Sequence, residues 1–214
     1  MKKSTYKKFG WIAVLILGIG TITSCSDDDE NTNELTPNNP ITGELINDQD
    51  KSALLFMLEE EKLARDTYFY LDSVWSINQF SNIKYSEQDH MNSIEGLLKS
   101  YDIPYHIESM GVFQDTTLQQ FYNQFITDGV QSKINALTIG ATIEDLDIVD
   151  LRERISQTIN QNVIDVFQLL ECGSNNHLRS FEKALTKEGG TYSPQYLTQS
   201  EYDIIINGTN APCN

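Results

Sequence analysis

Leu54-Leu55-Phe56-Met57-Leu58-Glu59-Glu60-Glu61-Lys62-Leu63-Ala64-Arg65-Asp66-Thr67-Tyr68 contains neither glycine nor proline, and its apolar side chains return at helical spacing. Leu54, Met57, Leu58, Ala64, Tyr68, Leu71 and Trp75 form one stripe of a helix running from about Asp48 to Trp75. Glu61 falls on that stripe. Glu59 and Glu60 fall on other faces, so the three consecutive acids are not equivalent. A carboxylate on the inward face of a long helix needs compensation from another element, and the rest of the chain supplies candidates.

Helical spacing continues to about residue 188, and the only proline in this region is Pro104, in the break after Tyr101. The fold class is all-α. The second helix has the stripe Phe80, Ile83, Met91, Ile94, Leu97 and Leu98, with Glu87 and His90 between Ile83 and Met91. Ser86 to Asp89 also reads as a capping box, which leaves the start of this helix open. A loop around Met110-Gly111 and a short helix from Thr117 to Thr127 lead to the third long helix. Its inward residues are Leu137, Ala141, Ile148, Leu151 and Ile155, with Glu144 among them and Asp147 one turn on. The fourth carries Ile159, Val163, Val166, Leu170, Phe181 and Leu185, with Ser174 and His177 completing the row.

Every long helix thus places a polar residue on its core stripe. An unpaired buried carboxylate costs several kcal/mol, against a net stability of about 5 to 15 kcal/mol for a whole domain. Two arrangements compensate such a group. In one, Glu61, Glu87 and Glu144 pair with Arg65, His90, His177 or other donors in a buried network. In the other, metal cations neutralise them. The chain has three histidines, of which His106 lies in a loop while His90 and His177 fall on core stripes of different helices. Two histidines converging on three carboxylates make a ligand set for two divalent ions, which favours the metal.

Glu61-Lys62-Leu63-Ala64-Arg65-Asp66-Thr67-Tyr68 followed by Glu87-Gln88-Asp89-His90 resembles the first two helices of rubrerythrin-type members of the ferritin-like superfamily. Gly140-Ala141-Thr142-Ile143-Glu144-Asp145-Leu146-Asp147 and Asn176-His177-Leu178-Arg179-Ser180-Phe181 are similar to the third and fourth. With Tyr192-Ser193-Pro194-Gln195-Tyr196-Leu197, they make about residues 50 to 207 resemble a ferritin-like family known only as domain of unknown function 2202. The resemblance implies a four-helix bundle with short additional helices, and a di-metal site of Glu61, Glu87, His90, Glu144, Asp147 and His177. It departs from the pattern at Ser174, where a Glu-x-x-His motif would place a carboxylate; Asp147 is the candidate replacement. Tyr68, one repeat from Glu61, hydrogen-bonds the site, carries an electron or simply packs, with packing preferred.

Two iron ions, or alternatively manganese, are the implied cofactors. The implied activity is an oxidoreductase that reduces peroxide or dioxygen while oxidising ferrous iron. The alternative is a non-enzymatic lipoprotein that uses the scaffold to bind metal or a protein partner. Neither a CxxC motif nor any iron-sulfur module occurs in the chain, so electrons would come from a donor protein or from environmental ferrous iron.

The two ends define the setting. Lys2, Lys3, Lys7 and Lys8 precede an uncharged, mostly apolar run from Trp11 to Gly20, the pattern of a secretion signal over residues 1 to 24. Ile22-Thr23-Ser24-Cys25 resembles a lipobox, which makes Cys25 a lipidated first mature residue anchored to a bacterial membrane. Ser26-Asp27-Asp28-Asp29-Glu30 begins a solvated tether to about Asn47 and looks like a surface-export signal of outer-membrane lipoproteins. The folded domain is then 48–207, with 208–214 as a tail. Loss of the four leader lysines moves the formal net charge from −16 to −20. So acidic a surface excludes nucleic acid as a partner and favours cations. Cys172 and Cys213 remain, either bridged or free, in a compartment that permits disulfides. Pairing into a homodimer is left open.

Overall fold

The computed structural model describes residues 45–210 and 212–213. The expected secretion leader, Cys25 and most of the expected tether lie outside the described residues. Helices α1 (Asp48–Trp75), α2 (Asn78–Ser100), α3 (Thr116–Gly129), α4 (Lys133–Gln157), α5 (Gln161–Lys187) and α6 (Gln199–Ile206) account for the regular structure, and no strand occurs among the described residues. The two dominant contacts are the helical hairpins α1–α2 and α4–α5; α1 also meets α4, and α2 meets α5. The result is a bundle of four long helices. Helix α3 lies in the connection between α2 and α4 and packs on α1 and α4.

The helix starts follow from side-chain caps. Asn47 accepts from the Asp50 amide, Asp115 from Thr117 and Leu118, Ser132 from Asn135, and Asn160 from Asn162 and Val163. Thr198 and Glu201 form a reciprocal capping box at α6. The apparent capping box at Ser86 is not a helix start, because α2 runs through it without a break. Ser86 lies against His177 instead. Ile159, expected inward, is 87% exposed: it sits in the short α4–α5 turn, ahead of the capping residue Asn160. Ile155, Val166 and Trp75 are only half-buried. Glu60, expected on a different face from Glu61, is buried as well. A bundle helix touches two neighbours, so its inward arc is wider than the roughly 100° between adjacent residues.

Three elements hold the loops. Lys62 donates from Nζ to Asp66 at 2.6 Å and to the carbonyls of Ser109 and Val112 at 3.0 Å. Asp66 also accepts from Arg65 and from the Gly111 amide. Arg65 is therefore spent on this loop clamp and on Gln88, and the expectation that it pairs with a core glutamate does not hold. Asp145 anchors the segment before α6, accepting from the Tyr192 hydroxyl at 2.7 Å and from the amides of Gln195, Tyr196 and Leu197. Cys172 on α5 is disulfide-bonded to Cys213, which ties the tail to the bundle.

The apolar core is in two parts. One contains Leu63, Tyr68, Phe80, Leu137, Ala141 and Phe181; the other contains Leu54, Leu58, Met91, Leu151, Val163 and Leu170. Each long helix crosses from one part to the other, and each carries buried polar side chains at the crossing: Glu61 on α1, Glu87 and His90 on α2, Glu144 and Asp147 on α4, Ser174 and His177 on α5.

Candidate metal centre

Glu87 stands at the middle of this polar layer. Its Oε2 lies 2.9 Å from His90 Nδ1, and its Oε1 lies 2.9 Å from His177 Nδ1. His90 Nδ1 is also 3.1 Å from Glu61 Oε2, and His177 Nδ1 is 3.4 Å from Glu144 Oε2. Two overlapping groups result, Glu61-Glu87-His90 and Glu87-Glu144-His177, each with one ligand atom per residue close enough to share a cation. Glu87 belongs to both.

The surroundings hold these side chains in place. The imidazoles stack with centroids 5.5 Å apart, and His177 Nε2 is 3.0 Å from Ser86 Oγ. Gly173 leaves room for His90: a Cβ there would lie 2.5 Å from its Nε2. Tyr68 donates to Glu144 Oε1 at 2.5 Å while its ring packs on Phe80 and Phe181. Tyr68 thus packs, as preferred from the sequence, and hydrogen-bonds Glu144 as well. Ser174 donates to Asp147 Oδ2 at 2.5 Å, so the serine at the carboxylate position of the motif orients the nearby aspartate. Asp147 is buried in the same layer but lies outside both three-residue groups.

Charges are poorly matched by protein donors. Glu61 Oε1, Glu87 Oε1, Asp147 Oδ1 and His177 Nδ1 are all buried without a hydrogen-bond partner. Glu87 Oε1 and His177 Nδ1 are close, yet they do not point along a hydrogen-bond axis. Burial pushes the Glu61 carboxyl up to about 7, against the pull of His90. Burial acts on Glu87 in the same sense, but the charges of His177 and His90 outweigh it and hold the group well below the usual carboxylate range. Burial lowers His177, and Glu87 and Glu144 more than reverse this, raising it to about 10. His90 is raised in the same way by Glu61 and Glu87. Burial and neighbouring carboxylates raise both Glu144 and Asp147.

If all four carboxylates of this layer are ionised, two protonated imidazoles leave an excess of two negative charges. Two divalent cations bound to neutral imidazoles would balance it, and the unpartnered atoms are oxygen and nitrogen donors suited to iron or manganese. The donor set fits such ions. Sequence spacing had pointed to Glu61, Glu87, His90, Glu144 and His177; it had not pointed to Ser86 or Gly173, which support the histidines.

A family model described as "Uncharacterized protein domain (DUF2202)" matches residues 50–209. The chain belongs to the DUF2202 family. An uncharacterized protein of Methanocaldococcus jannaschii, MJ0754, is 42% identical over 166 residues, covering 77% of this DUF2202 chain and 90% of the relative. The crystal structure of that hypothetical protein aligns with a TM-score of 0.76 at 41% identity, over 78% of this chain and 96% of the other. The family match, residues 50–209, covers nearly all of the helical bundle.

Proposed function

We propose that this DUF2202 protein is a ferritin-like di-metal carboxylate protein, with iron or manganese as the metal, and that it acts as an oxidoreductase toward peroxide or dioxygen. The observation that carries this reading is Glu87, whose two oxygens face two histidines from different helices. Glu61, Glu87 and His90 would hold one ion and Glu87, Glu144 and His177 the other, with Glu87 common to both. A reduced iron pair supplies two electrons to one oxidant, ferrous iron being oxidised.

The protein side chains do the rest. Tyr68 fixes Glu144, Ser174 fixes Asp147, and Ser86 fixes the far side of His177. Apolar core on both sides of the layer excludes bulk water, which strengthens every charge interaction within it. His90 and His177 keep a small solvent-exposed edge, which gives a small oxidant a way in.

Elemental analysis of the anaerobically purified chain tests the reading, beside a Glu87→Ala, His177→Ala double variant. About two iron or manganese ions per wild-type chain are expected, and none in the variant. A folded wild type that stays empty after ferrous iron is added would leave a non-enzymatic binding protein on the same scaffold.

A further inference from the structure

Beside the centre lies a second acidic group that the ligand set does not use. Glu60 on α1 is buried, and neither of its carboxylate oxygens has a hydrogen-bond donor. Facing it from α4 is Asp150, within hydrogen-bond reach, with Asp147 also close. Two carboxylates in contact have only acceptors to offer each other, so the pair requires a shared proton or a cation between them. Arg154, one turn beyond Asp150, brings its charge near Glu60 without pairing with it. Its guanidinium lies 4.2 Å over the Phe56 ring, and its Nε has no partner.

These acids neighbour one another between the surface and the centre. Asp150 is half-buried, and Tyr196 beside it is 39% exposed, so this end reaches solvent. Glu60 and Asp147 come next inward, and Asp147 faces Glu61, Glu144 and Glu87. Asp147 Oδ1 is a further buried oxygen without a donor. At the closed polar clusters of the same helices, around Asp66 and Asp145, donors surround each carboxylate. Here both oxygens of Glu60 and Oδ1 of Asp147 lack one, and Asp147 has only Ser174 on its other oxygen.

We propose that Asp150, Glu60 and Asp147 form a carboxylate file through which divalent cations pass from solvent to the centre, with Glu60 and Asp150 holding a transit site. The proposal rests on the di-metal reading. The file lowers the cost of bringing a hydrated cation into the bundle by exchanging its waters stepwise for carboxylate oxygens. In this role Glu60 and Asp150 control the rate of loading and not the final occupancy.

Stopped-flow mixing of the metal-free full chain with cobalt(II), followed by its visible absorption, tests this against Glu60→Gln, Asp150→Asn and the double variant. Loading about tenfold slower in the single variants, and slower still in the double, is expected, as loss of local charge focusing predicts. The final cobalt content should equal that of the wild type. Wild-type loading rates in all three variants would overturn the file while leaving the centre intact. Unchanged rates with lower final content would overturn it too, making these residues ligands or supports. A wild type that takes up no cobalt would overturn the file and the di-metal reading together.

Discussion

Glu144 and Asp145 are neighbours on α4, both buried, and their environments are opposite. Asp145 is surrounded by donors: one tyrosine hydroxyl and three backbone amides, all from the segment before α6. Glu144 shares its layer with Glu61, Glu87 and Asp147, where one carboxylate oxygen after another lacks a donor. A buried polar group kept for structure is saturated by the protein, because an unsatisfied one costs stability without return. A layer left unsaturated on four helices could instead hold a metal ion, as the two Glu/His groups allow. Lys62, Arg65 and Asp66 repeat the lesson on α1, where a saturated clamp sits directly beside the unsaturated Glu61.

The sharpest way to break the comparison is Asp145→Ala. It leaves three backbone amides and the Tyr192 hydroxyl without their acceptor, so a loss of roughly 4 kcal/mol is expected in denaturant unfolding. Metal content per folded chain should not change, since the Asp145 side chain hydrogen-bonds only the segment before α6 and no ligand. If the variant unfolds with wild-type stability, the saturated cluster is not the anchor described here.

The four polar crossings were legible in the sequence because helical periodicity fixes which residues share a stripe, and Glu61, Glu87, Glu144 and His177 each interrupt an apolar one. What periodicity does not contain is which neighbouring helix a residue meets. Glu60 lies about 100° from Glu61 and reads as outward until α4 is placed against that side. Asp145 reads as one more acid in a run, and its role depends on a segment 50 residues later in the chain that folds back onto it. Ser86 left the start of α2 open for the converse reason. Its local pattern is that of a helix start, and only the approach of α5 shows why a serine stands there.

A smaller effect separates the two kinds of carboxylate by pH. Burial raises the folded-state value of Glu61 from 4.5 to about 7, so its contribution to stability is present below the unfolded value and is lost as pH rises through that interval. His177, raised from 6.5 to about 10, loses its contribution over the next interval in the same direction. The metal-free chain should therefore become less stable between pH 5 and 8, by on the order of 2 kcal/mol. Metal binding requires the same groups to lose their protons, so cation affinity should rise over that range. Thermal unfolding of metal-free and metal-loaded chain at both pH values checks this: the gap in Tm should widen with pH. A constant gap would mean that Glu61 and His177 do not exchange protons for metal.

The smallest expected effect comes from Tyr68→Phe, on the boundary between the two kinds of environment. The ring contacts with Phe80 and Phe181, at 5.6 and 5.2 Å, survive the substitution, so the apolar core loses almost nothing. What is removed is one hydroxyl that donates to Glu144 with the Gly140 carbonyl also in reach, worth about 1 kcal/mol. In a purely structural layer that loss would appear as lower stability and nowhere else. In a metal centre it frees Glu144 to shift relative to His177, so the second group, Glu87-Glu144-His177, should bind its cation more weakly than the first. Cobalt titration reads the difference as one site unchanged and one site weakened. Equal weakening of both sites, or of neither, would show that Tyr68 packs without positioning Glu144.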